Sequence, residues 1–466
     1  MRFISIIIHT AASISLIASY CLAETRLDFI ASEPIRLPSV TVEPAQPPSI
    51  DPAPLPLPNP SQPQVFDNPP LHDSQVEPRL TLETLETLAL ASNPAVERAE
   101  AQVRALHGKW TQSGLYPNPV LGYSGDEMGD SGTAGKQGGF VQQEIVTAGK
   151  LGAHREVVAR EIEQAQQQLA AQKLRVLTDV RAAYYDVLLA QERIKVTRRI
   201  AGLSERASET VARLLEARQS ARVELLQADV ETETSRVGAS RAENDHIAAW
   251  RRLAAVTGTP DRAIAQVEGD WAAPPPPADW DTLVQELLQN SPEVAGALIG
   301  VQRARSSLQQ ACADSKPNID LSTSVHKDNT TGDTITSVQV GVPIPVFNRN
   351  QGAIQQAQAE ITAADRDAER VALDLQQRLA TVYQRLVDAQ MQATRYHDII
   401  LPKSEESLRL VTAGYEVGEI SYLNLLTAQR TYFQTSLQYL DVLREAWASH
   451  VEIKGLLLSG SLSSSL

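Results

Sequence analysis

The sequence predicts a mainly helical chain with a small β part, built from a duplicated unit. Three observations carry this. From Gly352 to Thr412 the only proline is Pro402 and no glycine follows Gly352 until Gly414. Apolar or small residues recur there at three- and four-residue steps: Ile354, Ala357, Ile361, Ala364, Ala368, Val371, Leu375, Leu379, Val382, Leu386 and Ala389. That is the seam of a long packed helix. Four short segments alternate apolar and polar residues, the pattern of half-apolar strands. Landmarks of the first half also return about 200 residues later.

The chain opens on an export signal: Arg2, an apolar run from Ile4 to Ile17, then Cys21-Leu22-Ala23 with cleavage expected after Ala23. Lipidation of Cys21 is the alternative, opposed by bulky Tyr20 where a small residue is normally wanted. Residues 24–78 hold fourteen of the 27 prolines and read as an extended, disordered tether.

Two copies follow, at 79–262 and 279–459, with a proline-rich joint at 263–278 between them and a serine-rich tail at 460–466. Leu82-Glu83-Thr84-Leu85 matches Trp280-Asp281-Thr282-Leu283, and Asn93-Pro94 matches Ser291-Pro292. Pro117-Asn118 matches Pro317-Asn318, and Gly152-Ala153 matches Gly352-Ala353. Leu225-Leu226-Gln227-Ala228 matches Leu425-Leu426-Thr427-Ala428. Each copy is expected to begin with a helix of about 34 residues (Leu80 to Gly114, Asp279 to Ala313). Two strands follow, near 119–125 and 139–146 in copy one and 318–326 and 334–342 in copy two. Then come a long helix, a tip and a return helix. Leu151 to Ala217 would span about 100 Å as one helix. The first and return helices, at about 50 Å each, would together match it.

Four strands with one apolar face cannot close a barrel, and an open sheet leaves bare edges. Two chains would supply eight strands and three would supply twelve, so the strand count leaves dimer and trimer open.

These landmarks resemble the outer-membrane efflux protein family, the TolC-like channels, over about residues 80–459. The most specific are Asn93-Pro94, Ser291-Pro292, Pro117-Asn118-Pro119, the run Pro343 to Gly352, and the tip run Ala413-Gly414-Tyr415 through Gly418, Ser421-Tyr422-Leu423, Leu425-Leu426 and Ala428-Gln429. The Gly149-Lys150 exit and the overall spacing look most like the cobalt-zinc-cadmium type of metal-efflux channel. The resemblance implies a homotrimer, with a twelve-stranded β-barrel in the outer membrane of a diderm bacterium, continuous with a periplasmic α-barrel. It also implies docking onto a periplasmic adaptor that serves an inner-membrane pump of the RND type. The expected role is a passive exit duct, with divalent heavy-metal cations as cargo, or organic toxins or proteins instead. A pore-free exported coiled-coil rod is the rival reading. It would share the heptads and tether but would not need four matched strands.

Gly414, Gly418, Ser421 and Leu425 in one tip, with Ser220 and Val223 in the other, are the candidate adaptor-docking residues. Gly414 and Gly418 equally fit as helix-ending glycines, and Ser421 as an N-cap. The first tip lacks both glycines and is expected to be shorter by two residues. Glu405, Glu406, Glu416 and Glu419 are candidate gate carboxylates, since acidic rings contributed by symmetry mates select cations. Against that, such charges are mostly a solvated helix face. Tyr116 and Phe140, with Phe347 behind them, are candidates for an aromatic girdle.

The net charge of −14 offers no basic patch for nucleic acid. None of the eight histidines has metal-ligand spacing to another histidine or to cysteine. No nucleophile elbow or phosphate-binding glycine loop occurs. Neither an enzyme nor a resident cofactor or metal is expected.

Overall fold

The computed structural model describes residues 80–463 except 133 and 278. The expected leader and tether, and the last three residues of the tail, lie outside them. Nine helices and four strands order the described residues. They are α1 (Leu82–Ser92), α2 (Pro94–Ser113), β1 (Val120–Asp126), β2 (Lys136–Ile145), α3 (Lys150–Glu216), α4 (Arg222–Val256), α5 (Trp280–Asn290), α6 (Pro292–Asp314), β3 (Ile319–Asp328), β4 (Thr334–Gly341), α7 (Gln351–Arg395), α8 (Leu401–Glu416) and α9 (Tyr422–Lys454).

The expected single first helix of each copy is in fact two. Asn93 leaves helical geometry (φ −76°, ψ 120°), and its side chain accepts from the Ala95 N–H at 2.9 Å. Pro94 takes the first helical position, where its missing N–H costs nothing. Ser291 and Pro292 repeat the device, with Ser291 Oγ accepting from the Glu293 N–H at 3.2 Å. Asn93 Nδ2 also donates to the Val256 carbonyl at 2.7 Å. Thus the α1–α2 break abuts the end of α4, and Gly258 lies so close to Ser92 that a Cβ would sit 2.4 Å from its carbonyl oxygen.

α3 runs unbroken for 67 residues, about 100 Å. Its counterpart widens into a π turn at Tyr396–Ile400 before α8. Pro402, second in α8, explains this: proline supplies no N–H and its ring clashes with the carbonyl four residues back, and a π turn relieves both. The seam positions Ala357, Ala368, Leu375, Leu379, Val382, Leu386 and Ala389 are buried as the spacing predicts. Leu375, Leu379, Val382 and Leu386 form a core with Leu283, Leu287, Val294, Ile453 and Leu457.

The joint is laced down. Trp250 Nε1 donates to the Arg262 carbonyl at 3.2 Å, and Trp447 Nε1 to the Trp271 carbonyl at 3.1 Å. The Tyr439 hydroxyl holds the Ala272 carbonyl at 3.1 Å. Gln390 Nε2 reaches the carbonyls of Pro275 and Pro276 at 2.9 and 3.0 Å. Carbonyls that the helices cannot satisfy are thereby paired, and the segment becomes a belt across α4, α7 and α9.

The four strands form one antiparallel sheet in the order β1-β2-β3-β4. The copies join at β2–β3, and β1 and β4 are the edges. Leu121 stands opposite Val141, Val141 opposite Thr323, and Thr323 opposite Val338. Leu121, Val141, Val338, Tyr123, Val325 and Val340 therefore share one face, and all six are exposed in the single chain. Ser322, Ser324, Gln142, Gln339 and His326 share the other. Phe140 lies on this polar face, opposite Ser324, with its ring over Gly122. Its place among the polar residues is at odds with the expected aromatic girdle, which would draw on the apolar face. Tyr123 carries the aromatic ring on the apolar face instead, and Tyr116 and Phe347 are exposed beyond the strands.

Candidate functional site at the hairpin tips

Both hairpins turn in the same way. The N–H of Gln219 donates to the Leu214 carbonyl at 2.8 Å and that of Arg218 to Leu215 at 2.9 Å. The N–H of Glu419 donates to Gly414 at 2.9 Å and that of Gly418 to Tyr415 at 3.0 Å. These paired bonds close a helix C-terminus through one left-handed residue. Gly418 takes that position at φ +80°, and Arg218 takes it at φ +58°. Each turn separates its helices by five residues, 217–221 and 417–421. The first tip is therefore not shorter: an arginine in the left-handed region replaces the glycine.

Gly414 has a different task. A Cβ there would meet Ile420 Cδ1 at 2.6 Å, so the missing side chain lets Ile420 fold back over the last turn. Ser421 stands at the N-cap of α9 (φ −73°, ψ 154°), but its side chain makes no capping bond. Ala221 fills the matching place, and Ser220 Oγ instead donates to Glu224 Oε2. Val223 is exposed, whereas Leu425 is 2 % exposed. Leu425 packs with Val211, Ala228, Leu408, Tyr415, Tyr422 and Leu426, a core drawn from both hairpins. Of the candidate docking residues, Gly418, Ser421 and Val223 are at the surface, Gly414 and Ser220 are half-buried, and Leu425 is inside.

The candidate gate carboxylates are all exposed. Glu405 lies 3.4 Å from Arg199 on the other hairpin. Glu406 is paired along its own helix with Arg409 at 2.6 Å, and that hydrogen bond holds its carboxyl below the usual carboxylate range.

The sequence reading missed the residues that join the two tips. Glu231 on α4 is buried, and Arg430 on α9 donates to its Oε2 through Nη2 at 2.7 Å and Nε at 3.1 Å. Beside them, burial and then the Glu231 charge push the Tyr422 hydroxyl up to about 12. Higher along the same seam, Arg193 meets Asp441 at 2.7 Å and Arg444 meets Asp186 at 2.6 Å. The two hairpins of one chain are thus joined by a run of ion pairs and by two apolar cores, one at the tips and one where Leu189 meets Ala393, Tyr439, Leu440 and Leu443.

The described residues contain no cluster of His, Cys, Asp and Glu fit for a metal ion and no helix long and apolar enough to cross a membrane.

Comparison with known proteins matches this geometry. The chain is 27% identical over 388 residues to the cobalt-zinc-cadmium resistance protein CzcC of Cupriavidus metallidurans, covering 81% of this chain and 90% of that protein. It is 22% identical over 372 residues to the probable outer membrane lipoprotein SilC of Salmonella typhimurium, covering 74% and 77%. Among solved structures, CusC superposes with a TM-score of 0.68 at 19% identity, over 81% of this chain and 92% of that one. The outer membrane efflux protein family matches twice, over residues 85–259 and 283–457, one match per copy. With both copies accounted for, the chain belongs to the outer membrane efflux protein family.

Proposed function

We propose that the chain is the outer-membrane exit duct of a tripartite efflux system, working as a homotrimer with a periplasmic adaptor and an inner-membrane RND pump. Three sheets close into a twelve-stranded barrel in the outer membrane, and three pairs of hairpins form the periplasmic conduit. Cargo moves passively down a gradient made by the pump, so the chain supplies a wall and an opening, with no bond-making chemistry.

The observation that carries this reading is the open sheet. One face is apolar and exposed to water, and both edges, β1 and β4, are unpaired in the single chain. Such a sheet is a liability alone and a stave when copies complete it. The duplication sets the register of that closure. Leu121 faces Val141 as Leu321 faces Val340. Val141 also faces Thr323, and the same pairing carried across copies would set Val340 opposite Tyr123 of a second copy.

Divalent heavy-metal cations are the proposed cargo. Support comes from the likeness to CzcC and from the acid excess of the chain, −14, which favours cations in a shared lumen. The absence of a tight ligand cluster among the described residues suits a conduit that must release what it carries. The exposed parts of the tips, Gly418, Ser421 and Val223, are the proposed adaptor contact, with Gly414 and Ser220 shaping it. Glu405, Glu406, Glu416 and Glu419 are the proposed gate carboxylates.

The test is deletion of the gene, followed by growth on zinc, cobalt, cadmium and copper and on organic toxicants. Lost tolerance to one or more metals, restored by the wild-type gene, is expected. Unchanged tolerance to all the metals overturns the cargo assignment.

A further inference from the structure

Two large rings on the polar face of the sheet lie down where a glycine stands beside them. Phe140 on β2 pairs with Gly122 on β1. A Cβ at Gly122 would fall inside contact distance of the Phe140 ring, closest to Cε1 and Cζ and 3.2 Å from Cε2. His326 on β3 pairs with Gly138 on β2, and Gly138 pairs with Ser124 on β1. His326 Nε2 meets Ser124 Oγ at 2.7 Å, so the imidazole crosses the bare backbone of Gly138 to reach the second strand away. A Cβ at Gly138 would run into Val325 and stand 2.6 Å from His326 Cα. Both rings lean from their own strand toward β1, and both are half-buried. On the apolar face, by contrast, side chains stand out: Leu121 is 81 % exposed and Val338 67 %.

Glycine inside a strand gives up packing and backbone entropy, and it is kept where something must come close. Here the close neighbour is a ring that would otherwise rise from the sheet. The row through Phe140 reads Gly122, Phe140, Ser324, Ser337 across the four strands, so Phe140 is its one large side chain. The next row reads Ser124, Gly138, His326, Ile335, with His326 laid across the gap.

We infer that Gly122 and Gly138 set the free bore of the barrel, by letting Phe140 and His326 lie against its wall instead of standing in the path of the cargo. The inference rests on the barrel proposed above, with the polar face inward. Twelve strands at ordinary spacing and tilt enclose a backbone cylinder about 24 Å across. Side chains from the whole circumference share that width, and in a homotrimer each position counts three times. A ring lifted off the wall at 140 therefore narrows the passage from three sides. A ring laid over a strand glycine also shields the backbone. Shielding alone would stabilise the sheet without altering what passes, and the two roles separate by experiment.

The test uses the full chain in the outer membrane of intact cells, with Cys312→Ser as background and membrane-impermeant maleimides of graded size added outside. Gln142→Cys reports from the polar face, one inward position past Phe140 toward the helices, and Val338→Cys reports from the apolar face. Gln142→Cys is expected to react up to a size limit, and Val338→Cys to stay unlabelled. Gly122→Val is expected to lower the limit, so that the largest reagent labelling the parent no longer does. Gly122→Ala is the milder variant and shifts the limit the same way. Adding Phe140→Ala to either is expected to restore the parent's limit. Ser124→Ala, which unpins the imidazole, is expected to lower the limit as well. A limit unmoved by the Gly122 variants and by Ser124→Ala overturns the inference while the barrel stands. A lowered limit that Phe140→Ala does not restore reports a distorted sheet and overturns it too. If Gln142→Cys stays unlabelled by the smallest reagent, or Val338→Cys reacts as readily, the inward polar face is wrong and the inference falls with it.

Discussion

Arg430 on the last helix grips Glu231 on the first return helix, Nη2 to Oε2 at 2.7 Å, across 199 residues of sequence. Only about a tenth of the Glu231 side chain reaches solvent, against 56% of the Arg430 side chain. The arginine is a removable cap on a carboxylate that cannot easily find water. Arg430→Ala strands that carboxylate, at a cost of about 2 kcal/mol. Faster amide exchange around 422–434 and higher single-channel conductance are the expected results. A variant with unchanged exchange and conductance would show that this pair does not close the tip.

The two left-handed positions predict opposite signs. Gly418→Ala forces a Cβ into φ +80° and should destabilise the second tip by about 1 kcal/mol. Arg218→Gly relieves φ +58° and should stabilise the turn geometry, less the entropy that glycine adds to the unfolded chain. Exchange of the amides at 217–221 and 417–421 separates the two effects.

Asn93→Ala removes both an N-cap and the bond to Val256, while Ser291→Ala removes a cap alone. The first should cost about 2 kcal/mol and the second about 1 kcal/mol. Thermal unfolding of the two variants side by side checks the ranking.

His450 is held below its ordinary value by burial first and by Lys454 second, and His246 by burial. The unfolded chain then binds more protons than the folded one once the pH falls through about 6.5. Stability is complete above that pH and declines as the solution is acidified toward the folded-state values. A His246→Gln, His450→Gln double variant should lose less of its melting temperature between pH 7 and 5 than the wild type.

Much of this architecture was legible because duplication repeats every landmark. The long helix expected at Leu151–Ala217 lies one residue away, at Lys150–Glu216, and the strands fall within about three residues of their expected bounds. The breaks before Pro94 and Pro292 were missed: asparagine or serine before proline is an N-cap signal, but an apolar pattern continuing on both sides masked it. Arg218 was not legible: nothing local marks an arginine that will adopt a left-handed conformation. Nor was the face of Phe140, which is set by register against Gly122. The belt and the Glu231–Arg430 pair depend on partners far away in sequence, which periodicity cannot find.

The most direct measurement of the central claim is a disulfide between Tyr123→Cys and Val340→Cys in cells, read on a non-reducing gel. If β1 of one copy completes the sheet at β4 of the next, oxidation gives a covalent trimer, and moving one cysteine by a single residue, to Gln339, abolishes it. A chain that stays monomeric under oxidation, while present in the outer membrane at wild-type levels, would contradict a shared barrel.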